Sequence, residues 1–287
     1  MTAVDDSGVA AYSDVEYVFE PHSRSLPDIR DYIAAVWERR TFMVALARSD
    51  IRTARSRTAL GNIWNVLDPL FQASIYFFLY LVLRKGASGK NNFLPILIGG
   101  IYLFGLTMNA MSEGGTSIKR GRSLLLNSTF PRALLPATNM YKNLKQFIPS
   151  ACVFFVLFPL VGGQYTAAFI AMPFLFAIQM VMNLGISLLV ATFVTLVPDG
   201  QNVMTYVSRI LFFATPVVYP VSLLPSNATA LIGWQPLFPL FASYQAVLSG
   251  SLPSAAYVLE SLAWAIALLV IGGQLFLRHE REFAIHL

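Results

Sequence analysis

The sequence predicts an all-α integral membrane protein with about six transmembrane helices, an N-terminal amphipathic interface helix and short re-entrant helices before the last span. Three observations predict it. Of 287 residues, 56% are hydrophobic and only 12% charged, roughly half the charge a soluble globular chain carries. Such a composition cannot supply the polar surface that a soluble fold needs. The charges are also segregated: Arg and Lys crowd residues 1–57 and 119–145, while long tracts hold none. Several of those tracts reach the ~20 residues that cross ~30 Å of hydrocarbon.

The net charge of +5 follows this banding, which fits anionic lipid and topology signals and does not point to a nucleic-acid partner. Cys152 is the only cysteine, so neither a disulfide framework nor a cysteine metal site is expected within one chain. The N-terminus is acidic and reads as no signal peptide.

Residues 1–24 read as a flexible polar tail. Ser25, followed three residues later by Asp28, reads as a helix start. The helix over 25–57 is amphipathic: Ile29, Tyr32, Ile33, Val36, Trp37, Met43, Val44, Ala47 and Ile51 recur at helical spacing among charged residues. Two settings suit it, the membrane interface and packing on a soluble partner. A transmembrane domain over 58–280 follows. Its first span is expected at Trp64–Leu83, its second at Phe93–Ser112, and its third at Phe147–Val161 with a lead-in from Asn139. The fourth is expected at Tyr165–Val197, long enough to be tilted, kinked or protruding. Pro198-Asp199-Gly200 closes it, and the fifth follows at Val203–Val221. Residues 222–253 are apolar but broken by Pro225, Gly233, Pro236, Pro239 and Gly250, which suggests re-entrant or interfacial pieces. The last span is Ala255–Leu277, and residues 281–287 form a C-terminal tail.

Orientation follows from the basic residues. The N-terminal segment holds eight Arg and the loop between spans two and three holds six Lys or Arg; the loop between spans one and two holds three, and the broken region none. Both termini and the basic loop are therefore expected in the cytoplasm.

Catalytic patterns are missing. Ser88-Gly89-Lys90-Asn91 resembles a phosphate loop only locally, because Arg84 stands where its first glycine belongs and Asn91 where its Ser or Thr belongs. No cofactor or metal site is expected. Glu113, Arg209 and Glu260 fall at or near spans, where each would cost about 2.5–3.5 kcal/mol at a helix centre. They read either as interfacial charges or as polar contacts in a pathway.

Three stretches carry a resemblance. Residues 55–70, RSRTALGNIWNVLDPL, resemble the R-x-x-L-G-x-x-W-x-x-L-x-P approach to the first span of type-2 ATP-binding cassette exporters. Asn127 to Pro136 resembles their F-P-R-x-x-L-P loop, and Thr215-Pro-Val-Val-Tyr219 their S-P-[IV]-x-Y motif. Their usual N-P is Gln235-Pro236 here. The branch resembled is the polysaccharide and polyol-phosphate export permeases of the Wzm type, over about residues 30–280.

That resemblance implies a homodimeric permease in the bacterial cytoplasmic membrane, exporting a lipid-linked polysaccharide of O-antigen, teichoic acid or galactan type. It implies a separate ATP-binding subunit holding ATP and Mg, and a coupling segment between spans two and three, expected over 115–130 with Lys119, Arg120 and Arg122 setting its charge. Aromatic rings stack on apolar sugar faces, so Tyr76, Tyr80, Tyr206, Phe213, Tyr219 and Trp234 are the candidate glycan path; the competing reading is lipid-facing packing. A membrane enzyme acting on polyprenol-linked sugars would need acidic or histidine clusters, which the sequence does not display. A drug or lipid exporter of the same superfamily stays open.

Overall fold

The computed structural model describes residues 29–56, 61–64, 67, 70, 71, 74, 75, 78, 93–128 and 130–284. The described chain is built of helices: α1 Ile29–Glu38, α2 Arg40–Ser56, α3 Phe93–Arg120, α4 Arg122–Asn127, α5 Leu134–Leu160, α6 Met172–Leu196, α7 Gly200–Ala214, α8 Ser226–Ile232, α9 Leu237–Leu248 and α10 Ala255–His279. Among the described residues, four helices are long and apolar enough to cross a membrane: Leu94–Asn127, Leu134–Leu160, Ala167–Leu196 and Ala255–His279. Most of the first predicted span lies outside the described residues; those described between Trp64 and Phe78 are helical. The tail over 1–24 and the helix start at Ser25 also lie outside.

The predicted spans are displaced in three places, each for a physical reason. The second span does not stop at Ser112. Glu113 finds a cation partner, so α3 runs on to Arg120, about 42 Å at 1.5 Å per residue. The third begins at Leu134, thirteen residues before Phe147, because Asn139, Lys142 and Asn143 are buried against neighbouring helices. The fifth is short: α7 has 15 residues, about 22 Å. Thr215 precedes Pro216, a position biased to extended backbone, and its φ of −86° and ψ of 141° leave the helix there.

α6 is the centre of the bundle, with α3 on one side and α10 on the other. The α6–α10 crossing is made of glycine. A Cβ on Gly185 would sit 2.5 Å from the main chain of Leu268 and Leu269, and one on Gly272 would sit 2.5 Å from the Gly185 carbonyl. Small residues of this kind let membrane helices meet backbone to backbone. The outer faces of α5 and α10 are apolar and exposed, with Val156, Leu160, Leu259 and Ile266 among them, as lipid requires.

Within the broken region, α9 is buried nearly all round, although its 12 residues cannot span. Gln245 ties it to the loop after α7: its amide donates to the carbonyls of Pro216 at 2.6 Å and Tyr219 at 2.7 Å, and its Oε1 accepts from the Val221 N–H at 2.9 Å. Gln235 donates to the Ala214 carbonyl at 3.3 Å and to Thr215 Oγ1 at 3.1 Å. It therefore caps the end of α7 from the position where the resembled motif has Asn. A buried chain, Tyr244 to Gln179 Oε1 at 2.9 Å and Gln179 to the Leu103 carbonyl at 2.8 Å, joins α9, α6 and α3.

Candidate functional site

A cavity of about 760 Å³ opens between α3, α5 and α7, with Ile75 of the first span on its rim. Its wall is unusually polar for this chain. α3 contributes Asn109 and Glu113, α5 contributes Asn143, Gln146 and Ser150, and α7 contributes Arg209; Tyr102, Phe104, Phe212 and Phe213 supply rings. On α5 the polar residues fall on one stripe, because Asn139, Asn143, Gln146 and Ser150 follow the helical i, i+4, i+7, i+11 pattern. Membrane helices carry such groups toward a bundle interior or a water-filled path.

Glu113 is ion-paired: Lys142 Nζ lies 2.6 Å from its carboxylate, with the Lys142 side chain 9% and the Glu113 side chain 26% exposed. Glu113 is about 10 Å along α3 from Arg120 and Lys142 about 12 Å along α5 from Leu134, so the pair bridges the two helices well inside their length. Asn139 adds a bond from its amide to the Glu113 carbonyl at 3.1 Å. Arg209 is different. Its guanidinium stands 5.8 Å from the Tyr206 ring, and among the described residues no carboxylate pairs with it. Glu113 and Arg209 are the charged residues of the cavity lining, and Glu113 is the ion-paired one.

Two polar groups in this wall are buried without hydrogen-bond partners among the described residues. Asn143, 2% exposed, has both amide atoms unpaired; Tyr102, 6% exposed, has an unpaired hydroxyl. An orphaned buried group costs about 1–3 kcal/mol, and such groups in a membrane cavity are readily explained as partners for a polar ligand.

Four of the six sequence-predicted aromatics, Tyr206, Phe213, Tyr219 and Trp234, lie among the described residues. Of those four, Phe213 is the one that lines the cavity. Tyr206 and Phe213 are 63% and 68% exposed on one face of α7. Trp234 is exposed on the connection from α8 to α9, and the Tyr219 hydroxyl donates to the Ala214 carbonyl at 3.0 Å, bracing the turn. Tyr76 and Tyr80 lie outside the described residues. Sequence reading named Glu113 and Arg209, but it left Asn143, Gln146 and Ser150 unmarked and counted Lys142 as a loop residue. The polar stripe on α5 was the available signal. Glu260 does not join the cavity.

Residues 40–250 match the model of the family described as ABC-2 type transporter. The chain belongs to that family. An O-antigen export system permease protein, RfbA, of Myxococcus xanthus is 24% identical over 88% of this chain and 97% of the relative. An RfbA of Klebsiella pneumoniae is 21% identical over 84% of this chain and 93% of its own length. The polysialic acid transport protein KpsM of Escherichia coli is 20% identical over 82% and 92%. As an ABC-2 type chain, the protein is a multi-pass transport subunit and not an enzyme, and ATP hydrolysis belongs to a separate ATP-binding subunit.

At the basic end of this ABC-2 subunit, α3 turns at Gly121 into α4. Lys119, Arg120 and Arg122 are all exposed around that elbow, and Leu126 of α4 is 57% exposed beside them. The elbow is anchored from below: Ile118 and Leu135 are buried with Phe276 and Phe283 in a second apolar cluster. Next to it, the Phe130-Pro131-Arg132 loop of the ABC-2 subunit is held by both ends of the chain. The Arg132 N–H donates to Glu280 Oε1 at 2.7 Å, and its guanidinium donates to the Glu280 carbonyl. The Tyr32 hydroxyl accepts from the Ala133 N–H at 3.2 Å and also bonds to the Glu280 carboxylate. Burial raises the Glu280 carboxyl above the usual carboxylate range against the lowering pull of Arg132, and burial likewise raises Tyr32. α1 and α2 leave Ile33, Trp37 and Phe42 exposed, while Ala47 and Ile51 are buried and α2 packs on α5.

Proposed function

We propose that this subunit exports a lipid-linked polysaccharide, of O-antigen, teichoic acid or galactan type, across the bacterial cytoplasmic membrane. The observation that carries the reading is the near full-length likeness to permeases named for O-antigen and polysialic acid export. The polar-walled cavity supports it, since a hydroxyl-rich polymer needs amide and hydroxyl partners at membrane depth. In this reading two copies assemble with two ATP-binding subunits, and both termini and the elbow around Lys119, Arg120 and Arg122 lie in the cytoplasm, where the elbow docks on the ATPase. Aromatic faces such as Tyr206 and Phe213 let a repeating chain slide without strong pockets that would hold it.

Deleting the subunit in its host tests this. Surface polysaccharide should disappear while polymer accumulates inside, and the intact gene should restore export. Normal surface glycan in the deletion strain, with loss of resistance to a small amphiphile instead, would replace this reading with a drug or lipid exporter. A cytoplasm-only reporter should work when fused after Lys142 and fail after Gly89; the reverse pattern overturns the orientation.

A further inference from the structure

α4 has 6 residues, too few to hold a helix in isolation, and two thin connections, Gly121 and residues 128–133, join it to α3 and α5. Much of what fixes it comes from a distant part of the chain. A Cβ on Gly121 would sit 2.4 Å from Leu135 Cδ1, so the elbow rests on Leu135 with no side chain between. Leu135 and Ile118 in turn pack with Phe276 of α10 and Phe283 of the turn Glu282–Ala284, and Leu124, Leu125 and Phe130 pack against them. Phe283 is fully buried, and its ring meets Phe276 edge-on at 5.1 Å between centroids. The polar contacts run the same way. Arg132 and Ala133 stand just before α5, where N–H groups have no helical carbonyl to meet. Glu280 takes the first at 2.7 Å and Tyr32 of α1 takes the second at 3.2 Å, and the Tyr32 hydroxyl also bonds to the Glu280 carboxylate. Phe42 of α2 lies 6.1 Å from Phe130, ring to ring.

We propose that the turn after α10, residues 280–284, is a brace that makes the elbow, the loop over 130–133, α1 and the end of α10 move as one piece, with Glu280 and Phe283 as positioning residues for coupling. The proposal rests on the docking of the elbow on the ATPase and deepens it. Lys119, Arg120, Arg122 and Leu126 face outward from the elbow, so a partner can press on it without touching the brace. That push has two routes into the bundle. One runs along α3, to which the elbow is joined through Gly121. The other runs through Phe283 and Glu280 into α10, and about two turns before its end α10 meets α6 at Gly272 and Gly185. Tyr32 brings α1 into the same piece, so α1 and the loop cannot part while Glu280 holds both. Packed side chains and hydrogen bonds between rigid elements are what carry coupling from one site to another.

The permease–ATPase complex, in a Cys152→Ser background, carries spin labels at Leu126→Cys and Arg278→Cys, both exposed positions, and is placed in nanodiscs. The label separation should be the same without nucleotide and with ATP held by a hydrolysis-dead ATPase, and in Glu280→Ala it should differ between the two states. A separation that changes with nucleotide in the labelled parent overturns the brace. Export per assembled complex should fall about fivefold or more in Glu280→Ala, within the range of coupling between distant sites, while the ATPase copurifies and still hydrolyses ATP. Glu280→Gln keeps an acceptor for the Arg132 N–H and should restore most of the export. Parent-level export in Glu280→Ala, loss of the ATPase from the complex in proportion to the lost export, or no rescue by Gln overturns the coupling role. Phe283→Leu serves the same comparison if Glu280→Ala does not accumulate, and the parent label separation needs neither. A photo-crosslinker at Ser123→Cys, on the exposed face of α4, should capture the ATPase. No capture overturns the docking reading and the coupling role together; capture with moving labels overturns the brace alone.

Discussion

Replacing Lys142 by Met leaves the Glu113 carboxylate facing a hydrocarbon-depth wall with its partner gone. Lys142 is 9% and Glu113 26% exposed in a 2.6 Å pair, so the loss is that of a largely buried charge, about 3–5 kcal/mol. Taking about 3 kcal/mol, and about 2–4 °C per kcal/mol for chains of this size, the Tm of the purified complex should fall by about 6–12 °C. The double variant Lys142→Met with Glu113→Met removes both charges and should return to within about 1 kcal/mol of the parent. Thermal unfolding in nanodiscs, followed by tryptophan fluorescence, reads both. A single variant as stable as the parent would mean the pair is solvated and does not bridge α3 to α5. A double variant as unstable as the single would mean Lys142 matters for its packing and not its charge.

Gly185→Ala places a Cβ 2.5 Å from the Leu268 and Leu269 main chain, which cannot yield as a side chain can; an overpacking loss of about 1–3 kcal/mol should appear as a lower Tm. Gln245→Leu unpairs two carbonyls and one N–H, each worth about 1–3 kcal/mol if left unmet, and should raise hydrogen exchange at Val221 while α10 stays protected. Arg120→Glu should insert normally and still assemble with the ATPase, yet hydrolysis should no longer drive export; unchanged transport would make the residue topological only. For Glu280, burial raises the folded pKa, so its contribution is complete below the ordinary carboxylate value and is lost as pH rises through the higher folded value. Protease protection of the C-terminal tail should therefore weaken over that window, and Glu280→Gln should flatten the dependence.

Apolar runs made the membrane class and four of the spans legible, because hydrocarbon imposes length directly on sequence. Ends were less legible, since charge is a stop signal only when unpaired: Glu113 marked a false end to α3 because Lys142 lies 29 positions away. The shortening of α7 was written in Thr215-Pro216, although the apolar residues beyond it argued for a longer span. The cavity was half legible. Arg209 and Glu113 stood out by cost, whereas Asn143 and Gln146 are ordinary in sequence and acquire meaning only from the stripe they share. The clamp joins Tyr32 to Ala133, 101 positions apart, and Arg132 to Glu280, 148 positions apart, and no local pattern announces it. Gln235 shows the converse: it departs from the resembled motif in sequence, yet in the fold it bonds to Ala214 and Thr215 at the end of α7.

The glycine crossing of α6 and α10 divides the subunit mechanically. With main chain against main chain at Gly185 and Gly272, no side-chain layer separates these two helices. α7 rests on the bundle by one face and leaves Tyr206, Ile210 and Phe213 uncovered on the other, and it ends in a turn fastened by glutamine bonds that can exchange partners. The packing is thus closest at the α6–α10 crossing and loosest along the outer face of α7, and two hydrogen atoms in place of side chains set the first of these.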